Sequence, residues 1–308
     1  VGGRAIVLYS MTFLLHSLSA VFLPAYFTSV SVLLSGNKSL ILKFNGLSNV
    51  ATQAGSILGA AAAVVLLEVA APTVVLGIDA ATYLLSGTFL ILGGMGGAGV
   101  GRIPGAAAVR GGAESAERRA QASTLFALAL LGSVTATVVT LFNLLGPVAA
   151  RRVIRSPTLF AGMDTLYAAG AALSGFILTY FLKDRVRLEG YLPFLGLLSV
   201  TMFALLLSPA PAYILAMSFS VGFLNSLFGG VLRSIPQISL AKQLVGYTVN
   251  LRILIETLLA LAFSLSLLLF EDQFQALTLP AVTAVAGAVL LMVLLPVPRV
   301  TGFLRGKP

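Results

Sequence analysis

The chain has 308 residues, of which 58% are hydrophobic and 9% charged, with a formal net charge of +9 and a mean hydropathy of +1.02. A soluble domain carries about a quarter charged residues, so this composition excludes a water-soluble globular protein. The chain contains no cysteine, which excludes disulfides and thiolate metal sites. Its basic residues are spread over short loops, which argues against a nucleic-acid-binding protein.

The apolar runs are long and continuous rather than alternating, which predicts helices and not barrel strands. We predict an all-α polytopic membrane protein with nine transmembrane helices. The predicted spans cover, to within a few residues, positions 5–33, 42–67, 72–95, 123–146, 158–182, 190–208, 211–232, 246–270 and 276–296.

One connection is long and rich in glycine and alanine, and it divides three spans from six. It predicts three parts: an N-terminal helical remnant over 1–95, a linker over 96–122 that ends in a short polar helix, and a six-helix half over 123–308. If the linker is cytoplasmic, 15 of the 19 lysines and arginines face inward, as the positive-inside rule requires. We therefore predict a multi-pass protein of the cytoplasmic (inner) membrane with a cytoplasmic C-terminus.

The exception to this charge bias is an outer arginine cluster, Arg151, Arg152 and Arg155. It is either an ordinary extracellular loop or an outward-facing patch for anionic groups. The odd number of spans places Val1 outside, and the chain starts without Met. We therefore expect Val1 to be an internal residue of a longer protein.

The stretch 43–63, KFNGLSNVATQAGSILGAAAA, combines apolar character with small residues. Small residues let membrane helices pack backbone to backbone. This stretch resembles the fifth helix of the major facilitator superfamily, in the branch of the enterobactin exporter and the macrolide efflux proteins. The spacing of Gly46, Gly55 and Gly59 is similar to the antiporter motif of drug–proton exporters, although Ala60 stands where that motif has proline.

Other segments carry the same resemblance. The segment 78–86, IDAATYLLS, looks like the sixth helix of that branch, and 170–175, GAALSG, looks like its eighth. The loop residues Asp184, Arg185 and Arg187 are similar to the Asp-Arg loop that follows the eighth helix. The resemblance implies a bundle of twelve helices, of which this chain has helices 4–12. Because helices 1–3 would line the cavity, we expect these 308 residues alone not to transport.

Charged residues inside the spans are costly in lipid, so each is a candidate for function. Asp79 either binds a proton or a cationic substrate, or accepts structural hydrogen bonds from a neighbouring helix. Asp164 either faces the cavity as a proton site, or caps its helix, or pairs with the outer arginine cluster.

Glu256 follows Arg252 by four residues on one helix face. The two form either a structural ion pair or a proton site that the arginine gates. His16, the single histidine, is either a titrating group or a neutral hydrogen-bonding residue between helices.

The segment 94–99, GMGGAG, fits a dinucleotide-binding pattern. Such a site needs a preceding strand and a following helix, whereas here a predicted membrane span precedes it. No Walker, H-E-x-x-H or G-x-S-x-G sequence is present, so neither ATP-driven transport by this chain nor standard hydrolysis is supported. We predict that the protein is not an enzyme and needs no cofactor.

The residues and the resemblance together lead to one hypothesis and two alternatives. The first is a monomeric secondary transporter that exports a hydrophobic, siderophore-like or drug-like small molecule by alternating access, driven by protons. The second is an importer on the same fold. The third is a polytopic membrane enzyme or a partner protein that does not transport.

Overall fold

A computed structural model describes residues 22–71, 114–153, 157–182, 201, 210–269 and 295–305, with individual helical positions between 74 and 88. The chain divides into two compact units, one of Val1–Ala54 with Ala120–Pro308 and one of Gly55–Arg119. The described residues are helical or lie in turns, and none of them is in a strand. The predicted domain boundaries near 95 and 122 stay predictions.

Seven helices are described over more than two turns. We number them in chain order: α1 Phe22–Leu33, α2 Lys38–Val69, α3 Glu114–Val153, α4 Pro157–Ile177, α5 Pro211–Ser239, α6 Lys242–Leu269 and α7 Val297–Arg305. A π-helical turn, Leu178–Leu182, continues α4. Spans predicted at 42–67, 123–146, 158–182, 211–232 and 246–270 therefore fall on α2 to α6. The spans predicted at 190–208 and 276–296, and most of those at 5–33 and 72–95, lie outside the described residues.

Four described segments are long and apolar enough to cross a bilayer: Ala122–Asn143, Gly162–Leu182, Pro211–Ser239 and Leu244–Phe263. Large apolar side chains also lie exposed at helical spacing, as Leu254, Leu258 and Leu261 do on α6. An exposed apolar stripe of this kind is unfavourable in water and favourable against lipid chains. The chain is therefore a helical membrane protein, which confirms the coarse prediction. Nine spans and a twelve-helix bundle stay predictions.

The helix α5 is longer than its sequence predicts, and the difference matters for the site. It starts at Pro211, where proline is favoured because the first helical N–H needs no partner within the helix. The prediction ended this span at 232, before a charge and a proline, and that end is wrong. The helix continues through Pro236 to Ser239, and the Leu240 N–H closes it on the Pro236 carbonyl at 3.0 Å. Membrane helices tolerate an internal proline when neighbours supply other hydrogen bonds.

A tight turn joins α1 to α2. Ser35 and Gly36 adopt positive φ angles of 51° and 71°, which suits glycine because it has no Cβ. Asn37 then starts α2, since its side-chain oxygen accepts the Leu40 N–H at 3.1 Å. The turn sets the direction in which the amide side chains of α2 enter the first unit.

The backbones of α4 and α5 touch at two glycines. A Cβ at Gly170 would lie 2.9 Å from the Phe223 nitrogen, and a Cβ at Gly222 would overlap the Tyr167 backbone. Small residues allow this approach, which replaces the absent hydrophobic drive with van der Waals contact. Around this crossing, buried residues of α2, α3, α4, α5 and α7 form one apolar core, including Leu42, Phe142 and Ile235.

We expect Gly222→Ala to destabilise the protein by about 1–3 kcal/mol, because the added methyl group meets Tyr167 backbone that cannot move aside cheaply. Gly302→Ala is the matched control, because Gly302 lies in α7 with nothing within 4 Å of an added Cβ. Thermal unfolding of both purified variants in detergent measures the difference. Equal melting temperatures for the two variants would contradict the backbone crossing.

Candidate functional site

The site is built on a polar interface between α1, α2 and α5. Asn45 of α2 is 2% exposed. Its amide donates hydrogen bonds to Ser234 Oγ and to Gln237 Oε1, both at 2.8 Å. Ser234 in turn donates to the Gly230 carbonyl at 2.7 Å. One buried amide of α2 thus satisfies two polar side chains that lie three residues apart on α5.

Gln237 extends this interface to α1. Its Nε2 donates to the Phe27 carbonyl at 3.3 Å, and its own backbone carbonyl accepts a hydrogen bond from Ser31 Oγ at 2.9 Å. All the polar groups of Gln237 in these bonds are buried with it. Hydrogen bonds between membrane helices contribute about 0.6 kcal/mol each on average. The set as a whole holds α1 and α2 to α5.

Arg233 lies at the centre of this interface. Its terminal nitrogen donates to Asn49 Oδ1 at 2.5 Å, and its Nε donates to the Gly229 carbonyl at 3.0 Å. Asn49 Nδ2 donates in the other direction, to the Ser226 carbonyl at 3.2 Å. A guanidinium within a membrane helix costs about 2.5–3.5 kcal/mol on insertion scales. Here neutral amide and carbonyl oxygens accept its hydrogen bonds.

A small cavity lies beside Arg233. It has a volume of about 20 Å³, which is room for about one water molecule. Its walls come from α1, α3, α5 and α6, and they are mostly apolar, with Arg233, Gln237, Thr248 and Arg252 as polar members. Two guanidinium groups therefore face one narrow space.

The second guanidinium is paired within its own helix. Arg252 Nε donates to Glu256 Oε1 at 2.5 Å, and both side chains are about one-fifth exposed. The aliphatic part of Arg252 packs over Gly132 of α3, where a Cβ would lie 3.2 Å from its Cδ. The ion pair expected from the i, i+4 spacing is therefore present, and Glu256 pairs with a residue of the cavity wall without lining the cavity itself.

Of the remaining charged or titratable residues that the sequence predicts, the structure describes Asp164. Asp164 is exposed on α4 and does not line the cavity. His16, Asp79, Asp184, Arg185 and Arg187 lie outside the described residues, so their predicted roles stay untested.

The three motif glycines differ from one another. Gly46 is buried where α2 crosses α4, and a Cβ there would lie 2.8 Å from the Gly175 carbonyl oxygen. Gly55 and Gly59 are exposed, and no described residue lies within 4 Å of a Cβ added at either of them. The close approach at Gly46 brings Asn45 and Asn49 into contact with α5, so this glycine positions the polar interface.

Sequence reasoning missed Arg233 because it assigned that residue to a loop. The signal was nevertheless in the sequence: Ser226, Arg233, Ser234 and Gln237 recur at spacings of seven, eight and eleven, which is one face of a helix. A second polar pair joins α4 and α5, and sequence reasoning did not identify the partner. Asn225 donates to the Tyr167 hydroxyl at 2.8 Å, while its own buried Oδ1 has no hydrogen-bond partner among the described residues.

Comparison of the chain with protein-family models, with curated proteins and with solved structures finds no match.

We expect Asn45→Ala to lower the free energy of unfolding by about 1–3 kcal/mol, because it leaves Gln237 Oε1 buried without that donor. Asn250→Ala is the control, since Asn250 is exposed on α6 and makes the same chemical change. Denaturant or thermal unfolding of the two purified variants gives the comparison. An Asn45→Ala protein as stable as the Asn250→Ala protein would show that the interface contributes nothing to stability.

Proposed function

We propose that the chain belongs to a secondary active transporter that works by alternating access, with protons as the coupling ion. The proposal follows the resemblance to the major facilitator superfamily, and to its exporter branch for hydrophobic, siderophore-like or drug-like compounds. It places the protein in the cytoplasmic membrane as a monomer with a cytoplasmic C-terminus. A small molecule, protons and the bilayer are its partners, and no cofactor takes part.

The observation that carries the proposal is the polar contact between α1, α2 and α5. Its hydrogen bonds join amides, hydroxyls and one guanidinium, all of which water can satisfy if the helices separate. The glycine crossings of α4 with α5 and of α2 with α4 are different, because close van der Waals contact is lost outright when two backbones part. The bundle therefore combines one contact suited to opening with one suited to staying together. Alternating access requires both kinds of contact.

The size of the cavity supports the same reading. A space of about 20 Å³ holds no organic solute. A solute can reach Arg233 and Arg252 only if the helices around the cavity move apart. In the proposed cycle the described arrangement is the closed state of this face, and separation of α1 and α2 from α5 opens it.

Proton coupling is assigned to Glu256. A proton on its carboxylate would remove the charge that holds Arg252, and the freed guanidinium would add a second uncompensated positive charge at the cavity. Repulsion between Arg252 and Arg233 would then favour hydration and opening. Asp164, exposed on α4, is a weaker candidate for this role because, among the described residues, it has no ion-pair partner in the cavity wall.

Import on the same fold is the second candidate. The observation that favours it is Ala60, which stands where the antiporter motif of exporters has proline. The direction of solute flux in inside-out vesicles distinguishes the importer from the exporter.

The absence of cysteine makes an accessibility test of opening direct. Thr248 lines the cavity and is 2% exposed, so a Thr248→Cys thiol should react slowly with a membrane-impermeant maleimide. In proteoliposomes, an imposed pH gradient should raise its reaction rate at least about fivefold, by populating a minor open state. Gly302→Cys, at an exposed position of α7, should react at one rate with and without the gradient. A Thr248→Cys rate that ignores the gradient would argue for a partner protein that does not transport.

The same assay tests the assignment of the acid. In the double variant Thr248→Cys, Glu256→Gln, the thiol should react quickly without a gradient, because glutamine is as neutral as the protonated acid. Glu256→Asp keeps the charge and should retain the slow reaction and its response. If Glu256→Gln behaves as the parent protein does, Glu256 is not the coupling group.

A further inference from the structure

The hydrogen-bond partners of Arg233 are neutral. In the part of the chain that the structure describes, its donors reach the Asn49 amide oxygen and the Gly229 carbonyl, and no carboxylate lies within ion-pair distance. Arg233 is partly buried, and charges withdrawn from water in proteins are normally paired with an opposite charge. The described residues leave the charge of Arg233 uncompensated.

The neighbouring groups do not change this balance. Arg252 lines the same cavity, and the carboxylate of Glu256 already pairs with it. Two guanidinium groups and one carboxylate leave one positive charge in excess at this place. Such an excess favours an anion over a neutral or cationic solute.

The other walls indicate what the anion is attached to. They are formed largely by aliphatic and aromatic side chains, among them Phe27, Leu128, Val245 and Val249. Gln237 lines the cavity too, but its amide groups already bind Asn45 and the Phe27 carbonyl. A ligand that suits these walls has an apolar body and one anionic group.

We propose that Arg233 binds the carboxylate of an apolar organic acid, which takes the place of the Asn49 amide oxygen. A guanidinium binds a carboxylate through two parallel hydrogen bonds, which are stronger than a single bond to an amide. This inference rests on the proposed function, because the acid fits only after α5 separates from α1 and α2. It names the substrate class of that site as an organic anion.

The exchange also gives binding a way to drive opening. In the closed state, the bond from Arg233 to Asn49 helps hold α2 to α5. An acid that takes the guanidinium removes this bond and binds the open state alone. A ligand shifts a conformational equilibrium only through such a difference in affinity between the two states.

Binding of radiolabelled benzoate to the purified 308-residue chain in lipid nanodiscs tests the proposal. Benzamide, a neutral molecule of nearly the same shape, serves as the competitor. Benzoate should bind saturably, and unlabelled benzoate but not benzamide should displace it. The proposal is overturned if benzoate does not bind, or if benzamide displaces it equally well.

Variants locate the binding group. Arg233→Gln should weaken benzoate binding at least about tenfold, since a charged hydrogen-bond partner is lost. The affinity of Arg233→Lys for benzoate should lie between those of the parent and of Arg233→Gln, because an ammonium lacks the planar fork of a guanidinium. Arg299→Gln makes the same charge change on the exposed side of α7 and should leave binding unchanged. Equal binding by Arg233→Gln and the parent would refute the site.

Asn49→Asp provides a test that does not depend on removing the arginine. It places a carboxylate where the amide oxygen now lies 2.5 Å from the guanidinium, in a side chain of the same shape. The variant should no longer bind benzoate. Because it also loses the bond from Asn49 Nδ2 to the Ser226 carbonyl, its melting temperature serves only to confirm that it folds. Unchanged benzoate binding by the folded variant would show that Arg233 is not an uncompensated charge.

The two proposals can fail separately. The labelling of Thr248→Cys is measured without benzoate, so an absent gradient response disproves proton-driven opening, whereas saturable benzoate binding would still show that the site opens. Conversely, a normal gradient response with no benzoate binding disproves only the proposal that Arg233 binds an organic acid.

Discussion

One guanidinium inside an apolar helix bundle determines where the polar side chains around it lie. Arg233 needs hydrogen-bond acceptors in a medium that supplies none, and Asn49 and the Gly229 carbonyl provide them. Asn49 can reach Arg233 because Gly46, one turn earlier on α2, lets that helix press against α4. The bonds from Asn45 to α5 extend the same contact toward α1. A charge, a glycine and two amides are thus parts of one structural solution.

The bundle contains two kinds of helix contact, which differ in how easily the helices can part. At Gly170 and Gly222, α4 and α5 meet backbone to backbone, so their relative position is fixed by close packing. Backbone contact of the same kind holds α2 to α4 at Gly46 and Gly175. Where α1 and α2 meet α5, hydrogen bonds that water or a ligand can replace lie beside an apolar core that α2 and α5 share. Movement is therefore cheaper at the hydrogen bonds than at either glycine crossing. Binding of an anion at Arg233 uses the cheaper contact.

Periodicity and composition were sufficient to predict the helical membrane class, the positions of α2 to α6 and the Arg252–Glu256 pair, because each depends on local spacing. They failed at the end of α5, since Arg233 and Pro236 both read as a helix end when considered locally. Tertiary partners override that preference: Asn49 accepts a hydrogen bond from the Arg233 guanidinium, and Ser31 donates one to the Gln237 carbonyl, one residue after the proline. The pairing of side chains across the interface also escaped prediction, because Asn45 and Ser234 are 189 positions apart. No local pattern specifies which distant hydroxyl an amide will meet.

In the proposed cycle, α1 and α2 part from α5 at the polar contact. Pulsed electron–electron double resonance measures this separation directly, as the distance between spin labels on Ser35→Cys and Ala241→Cys. Both positions are exposed, at the α1–α2 turn and just after α5. With Glu256 present, acidification from neutral pH should add a second population of longer distances between the labels. The Glu256→Gln variant should show this longer-distance population already at neutral pH. A single distance distribution, unchanged by acid and by Glu256→Gln, would contradict the proposed cycle.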